Sequence, residues 1–191
     1  MNLPNPESRS DASTPGENIC LGCGLCSDGT LYSWIRTFPE DDLTPLTRLG
    51  AQVVPNPERE GMVFLLPCPA FGQGCCTIYE DRPSRCRSYS CALLKQVEAG
   101  EVSTSEALGV IQSALTLRDQ VVPELKALVE SRPPEPFSDL CERVDAHWDA
   151  MADPLAERRK HAGLLFRVNA LRTLLTRRFR NPKATPGATQ P

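Results

Sequence analysis

Cys20-Leu21-Gly22-Cys23-Gly24-Leu25-Cys26-Ser27 spaces three cysteines so that only two residues separate neighbours. Thiolates hold zinc or iron through sulfur at fixed distances, so ligands usually come in pairs from tight turns. A Cys-x-x-Cys turn offers two sulfurs to one ion, and the small residues Gly22 and Gly24 let backbone amides point at them. Three sulfurs are one short of a tetrahedral site, which sends the search for ligands further along the chain.

The nearest further cysteines begin at Cys68, more than forty residues on, in Cys68-Pro-Ala-Phe-Gly-Gln-Gly-Cys75-Cys76-Thr-Ile-Tyr79-Glu-Asp-Arg82-Pro83-Ser-Arg-Cys86-Arg87-Ser-Tyr89-Ser-Cys91. Eight of the nine cysteines thus fall between Cys20 and Cys91. Cys-x-x-Cys-x-x-Cys with a remote Cys-Pro also matches the spacing of a ferredoxin-type iron–sulfur half-site. An odd cysteine count, and a polar Met1–Asn18 with three prolines and no apolar run, argue against an exported disulfide protein. No stretch approaches the roughly 18 apolar residues of a membrane span. The expected location is a reducing cytoplasm, where clustered cysteines bind metal or do redox chemistry.

The rest of the chain reads as a small core with many turns. Apolar residues make up 40% of it, enough for a core, while 18 prolines and 12 glycines interrupt regular structure. Residues 1–17 and 181–191 are polar and Pro-rich and are expected to be disordered tails. Residues 18–95 form the Cys-rich unit, with short strands at Thr30–Ile35 and Met62–Leu66 and a helical turn within Asp42–Leu49. Residues 96–180 are helical. Ser103-Thr-Ser-Glu106 reads as a capping box, followed by Leu108, Ile111 and Leu115 at helical spacing. Pro123 is expected to end that helix and start another. A third carries Phe137, Leu140, Val144, Trp148 and Met151, and a fourth begins after Asp153-Pro154 and carries Leu164, Val168, Leu171 and Leu175. The fold class is α+β, mostly α: a loop-rich metal-binding domain packed on an α-helical hairpin or bundle.

The cysteine blocks carry a resemblance. Cys20, Cys23-Gly24 and Cys26, then Cys68-Pro69, then Cys76-Thr-Ile78-Tyr79, Arg82-Pro83 and Cys86-Arg87 resemble the YkgJ-type cysteine-cluster family, a zinc- or iron-chelating domain. The similarity spans residues 18–91. The family pattern has a second cysteine where this chain has Ser27, and a hydroxyl is a poorer ligand than a thiolate. Alignment on Cys-x-Ile-Tyr makes Cys76 the matched ligand and Cys75 the extra one. Cys91 lies five residues past Cys86. The candidate metal ligands are Cys20, Cys23, Cys26, Cys68, Cys76, Cys86 and Cys91. Seven sulfurs leave three arrangements open: a cluster with bridging thiolates, an iron–sulfur cluster with spare cysteines, or one metal with buried thiols.

Other residues get plainer readings. Arg82, Arg85 and Arg87 either lower nearby thiol pKa values or hold loop carbonyls and pack on Tyr79 and Tyr89. Cys141 reads as a buried thiol, and His147 and His161 as isolated helix residues. From Glu157 to Arg180 there are eight Lys or Arg against one Glu, a balance of +7 within a chain of net charge −3. Such a helix could meet nucleic acid, but a solvated, internally paired face is favoured. The expected function is a cytoplasmic protein holding zinc or iron, an iron–sulfur cluster included. The alternatives are an enzyme similar to flagellin lysine N-methylase, or a module whose basic helix binds an anionic partner.

Overall fold

The computed structural model describes residues 19–180 apart from Leu21, Gln73 and Ser131; the two expected tails lie outside the described residues. The fold is α+β and mostly α, as the pattern implies, with seven α-helices among the described residues beside small antiparallel sheets.

The first half is built on three short strands: β1 (Trp34–Arg36), β2 (Val53–Pro55) and β3 (Met62–Leu65). β3 lies in the centre and pairs antiparallel with both others, Ile35 and Val53 each facing Phe64. Pro55, which has no N–H to donate, sits on an edge strand where that loss is tolerated. Val63 and Phe64 are both buried, so the central strand is covered on both faces. The sequence starts the first strand four residues early, because Leu31 and Tyr32 are apolar yet belong to an irregular buried approach. Helix α1 (Thr44–Arg48) starts with Pro45 in its first turn, and a two-residue hairpin pairs β4 (Phe71–Gly72) with β5 (Cys75–Cys76).

Short helices α2 (Ser84–Ser88) and α3 (Ala92–Glu98) lead into α4 (Thr104–Lys126). Ser103 caps α4, its hydroxyl accepting from Glu106 N at 3.2 Å, as the capping box predicts. Two expectations for α4 fail. Pro123 does not split it but lies in the last turn, on an exposed side where water can satisfy the carbonyl the ring leaves unpaired. The buried stripe is Ala107, Ile111, Ala114, Val121 and Leu125, while Leu108 is exposed. Small alanines on the inner face let α7 (Ala162–Leu174) pack close, and that contact outweighs the larger leucine.

α5 (Phe137–Asp149) buries Phe137, Leu140, Cys141, Val144 and Trp148, nearly the predicted face. The fourth expected helix is two. α6 (Pro154–Lys160) is capped by Asp153 and stops at His161, whose imidazole stacks on Trp148 with ring centroids 5.5 Å apart. α7 then carries Leu164, Val168 and Leu171 into the core and ends in a π-helical turn, Leu175–Phe179, that packs on α3. One contiguous core runs from Ile19, Leu25 and Leu31 through Phe64 and Leu93 to Trp148, Leu171 and Phe179. It joins the Cys-rich segment to the helices. Asp28, two residues past Cys26, strengthens that join with an ion pair to Arg118 of α4.

Candidate metal centre

Three tethers bring the two cysteine blocks together. Cys68 N donates to Ser27 O at 2.8 Å, and Gly22 N donates to Gly74 O at 3.2 Å. The third is a close approach: Gly24 has φ +66° and presents its bare Cα to the Phe71 ring. The long loop between the blocks is the three-stranded sheet, which explains how ligands forty residues apart become neighbours.

Strand geometry decides between the adjacent cysteines. Successive side chains of β5 point to opposite faces. Cys76 faces inward and lines a cavity of about 100 Å³, whereas Cys75 is exposed with its Sγ against Gly72 O. The cavity is also lined by Cys26, Ser27, Cys68 and Cys86. Cys20 and Cys23 precede it on the first loop, and Cys91 stands at the start of α3, where its Sγ accepts from Leu94 N at 3.4 Å. Four of the seven candidate sulfurs, those of Cys26, Cys68, Cys76 and Cys86, thus line one cavity; Cys141 lies apart, buried in the helical core.

Cys86 is placed by α2, and α2 is placed by a residue the sequence did not single out. Asp41 Oδ1 accepts from Ser84 N at 2.8 Å and from Ser84 Oγ at 2.6 Å, while its Oδ2 accepts from Phe38 N at 2.9 Å. In the sequence Asp41 looks like part of a helix start, a role that Asp42 fills by accepting from Thr44 N. Partial burial works against ionisation of Asp41, but the Ser84 and Phe38 bonds and the Arg87 charge outweigh it and hold the carboxyl below its usual range. A depressed folded-state pKa stabilises the fold above the unfolded carboxylate's pKa, near 4, and that contribution vanishes as pH falls. Asp41→Asn is accordingly expected to lower the urea midpoint at pH 7 and to differ less from the parent at pH 3. An equal gap at both pH values would refute this assignment.

Burial, reinforced by the neighbouring thiols, pushes Cys20 up to about 11 and Cys86 up to about 12. Burial also takes Cys23 to about 12 and raises Cys26, Cys68 and Cys91. Backbone amides pull the other way: Leu25 toward Cys23, Ala70 and Phe71 toward Cys68, Leu93 and Leu94 toward Cys91. Amides aimed at sulfur stabilise thiolate once an ion displaces the proton.

Both readings of the arginines find support. Arg82 Nε donates to Tyr79 O at 2.9 Å, its guanidinium lies 3.6 Å from the Tyr79 ring centroid, and Arg87 Nη1 reaches Glu80 O. Arg82 also exerts a lowering charge on Cys20 and Cys86. Arg85 lines the cavity, and its Nε is buried with no hydrogen-bond partner. Tyr32 and Tyr89 share a hydrogen bond of 2.7 Å beside Cys26 and Cys91, and burial pushes both phenols up. Nothing in the spacing of these tyrosines announces that pairing.

The residues present suit a thiophilic ion. The donor set is sulfur only, backbone amides are aimed at Cys23, Cys68 and Cys91, and the Arg85 Nε is buried nearby with no hydrogen-bond partner. Among the described residues no group of three or more Cys, His, Asp or Glu side chains stands where it could hold a metal ion. On the basic C-terminal segment, Arg158 pairs with Asp145 and Asp149, Lys160 with Glu157, Arg167 with Glu124 and Arg178 with Glu106. These pairs engage four of its eight cations within the protein. No described helix is long and apolar enough to cross a membrane. Compared with protein-family models, with curated proteins and with solved structures, the chain matches none.

Proposed function

We propose that the protein is a cytoplasmic metal-binding protein holding zinc or an iron centre through the thiolates of Cys20, Cys23, Cys26, Cys68, Cys76, Cys86 and Cys91. What supports the reading is that Cys26, Cys68, Cys76 and Cys86 line one cavity, with backbone amides aimed at Cys23, Cys68 and Cys91. Burying that many thiols with so little regular structure around them has a natural purpose if an ion draws them together. A bound ion replaces protons on sulfurs that otherwise stay neutral, and the free energy of coordination adds to that of folding, by on the order of 10 kcal/mol for structural zinc. The YkgJ-type motif points to the same chemistry. Arg82 and Arg85 then offset the negative charge of the polythiolate.

The test is metal content of the full chain purified without oxygen. Colourless protein with stoichiometric zinc is expected for a structural centre; brown protein with matching iron and sulfide is expected for an iron–sulfur centre. Removal of the metal with a chelator is expected to lower the melting temperature by more than 10 °C, given that a 1 kcal/mol loss shifts Tm by roughly 2–4 °C at this chain length. Metal-free protein after aerobic and anaerobic purification alike, with a melt unchanged by added zinc or iron, would overturn the proposal.

A further inference from the structure

From Ala162 to Arg180 the chain carries five arginines and no acidic residue. Arg167 and Arg178 lie on the side of the helix toward α4 and pair there with Glu124 and Glu106. Arg180 donates to Leu31 O at 2.8 Å. Arg177 is exposed and makes no ion pair or hydrogen bond among the described residues, and the same holds for Arg159 in the last turn of α6. Between these two free cations stands Phe166, 75% exposed. Thr173 and Arg177 follow Phe166 by seven and eleven residues, close to two and three whole turns, so the three share one line along the helix. Gly163 and Ala170, beside that line, are too small to cover the ring. Exposed Asn169, Thr173 and Thr176 add hydrogen-bond donors around it.

We propose that this outer face of α7 binds single-stranded nucleic acid, with an unpaired base stacked on Phe166 and backbone phosphates held by Arg177 and Arg159. An exposed aromatic ring beside free arginines, on a segment with no acid to repel phosphate, is the combination that single-stranded sites use. The charge is complementary, and the paired arginines on the α4 side add to the positive field without leaving their partners. A duplex buries its base faces and offers the ring nothing to stack on. A membrane surface calls for a stripe of several large apolar side chains, and Phe166 is the only exposed one on α7. An acidic peptide would satisfy the arginines and leave the ring in water. This proposal stands on the helical half of the chain and does not depend on the metal-binding reading.

The experiment is fluorescence anisotropy of a short labelled oligonucleotide of mixed sequence, titrated with the full chain purified without oxygen, across a salt series. Single-stranded DNA or RNA is expected to bind more tightly than the duplex of the same sequence. Phe166→Ala is expected to weaken single-strand binding about tenfold, the loss of one stacked base, with the salt dependence unchanged. Arg159→Gln combined with Arg177→Gln is expected to lower the slope of log K against log salt by about 1.4, two phosphate contacts at roughly 0.7 each. All three side chains are exposed, so an unchanged thermal melt verifies that the variants fold. No binding, a duplex held as tightly as the single strand, or a Phe166→Ala variant that binds like the parent would overturn the proposal. So would capture by phosphatidylserine vesicles in preference to the oligonucleotide. None of these outcomes changes the metal content, by which the metal-binding reading is judged separately.

Discussion

Changing Gly24 to alanine is expected to lower the free energy of unfolding by about 3 kcal/mol, from two additive causes. A Cβ on Gly24 falls 2.0 Å from Phe71 Cζ and 2.7 and 2.8 Å from Cε1 and Cε2, inside any van der Waals contact. Relieving the overlap requires the half-buried Phe71 ring to leave its place over Gly24, while its backbone stays paired with Cys76 across the β4–β5 hairpin. Forcing such an overlap costs typically 1–3 kcal/mol. The φ of +66° adds roughly 1–2 kcal/mol for any residue with a Cβ. Urea denaturation of Gly24→Ala, Phe71→Ala and the double variant separates the two. The double variant is expected to recover the steric part and keep the backbone part. If Gly24→Ala alone stays within about 0.5 kcal/mol of the parent, the close approach is absent. The same displacement moves Cys23 and Cys26 relative to Cys68 and Cys76, so weaker metal retention should accompany the lost stability.

Trp148→Ala is expected to cost about 4 kcal/mol, the usual range for deleting a large buried aromatic being 3–5 kcal/mol. Trp148 is 1% exposed and sits where α5 meets the α6–α7 junction. Its ring stacks on His161 and lies beneath the Arg158 guanidinium at 5.8 Å. Removing it therefore opens a cavity and frees the residue at which the helix breaks. Leu108→Ala is the control, since Leu108 is 46% exposed and should change stability by less than about 0.5 kcal/mol. Guanidine midpoints compare the two directly. Comparable losses would mean that the sequence-predicted face of α4, and not the alanine stripe, is the packed one.

The elements predicted best are those whose signal is local. Ser103 with Glu106, Asp153 with Pro154, and the apolar stripe from Phe137 to Trp148 all mark helices where helices stand. Each depends on residues within one or two turns of each other. The misread elements depend on distant contacts. Pro123 looked like a boundary because a buried proline would be one, but its side of α4 faces solvent. Leu108 looked like core because leucine outranks alanine in hydrophobicity, yet close packing against α7 selects the smaller residues. His161 interrupts a continuous helical pattern because Trp148, thirteen residues earlier, offers it a stacking partner.

The same division holds at the candidate centre. Spacing together with the resemblance to the YkgJ-type pattern named the seven cysteines and set Cys75 aside, and the β5 strand supplies the reason, since adjacent residues of a strand point apart. Sequence could also mark Ser27 as a hydroxyl where a sulfur would serve. It could not say which sulfurs keep company, because that is set by the Cys68–Ser27 and Gly22–Gly74 hydrogen bonds across a loop of more than forty residues. Nor could it find Asp41, which positions Cys86 from a place in the chain that looks like an ordinary helix start. Composition and spacing determine the chemistry on offer, thiol sulfur in excess, because side-chain identity is enough for that. Only the tertiary structure puts Cys26 in one cavity with Cys68, Cys76 and Cys86, because that depends on how the sheet returns the chain upon itself.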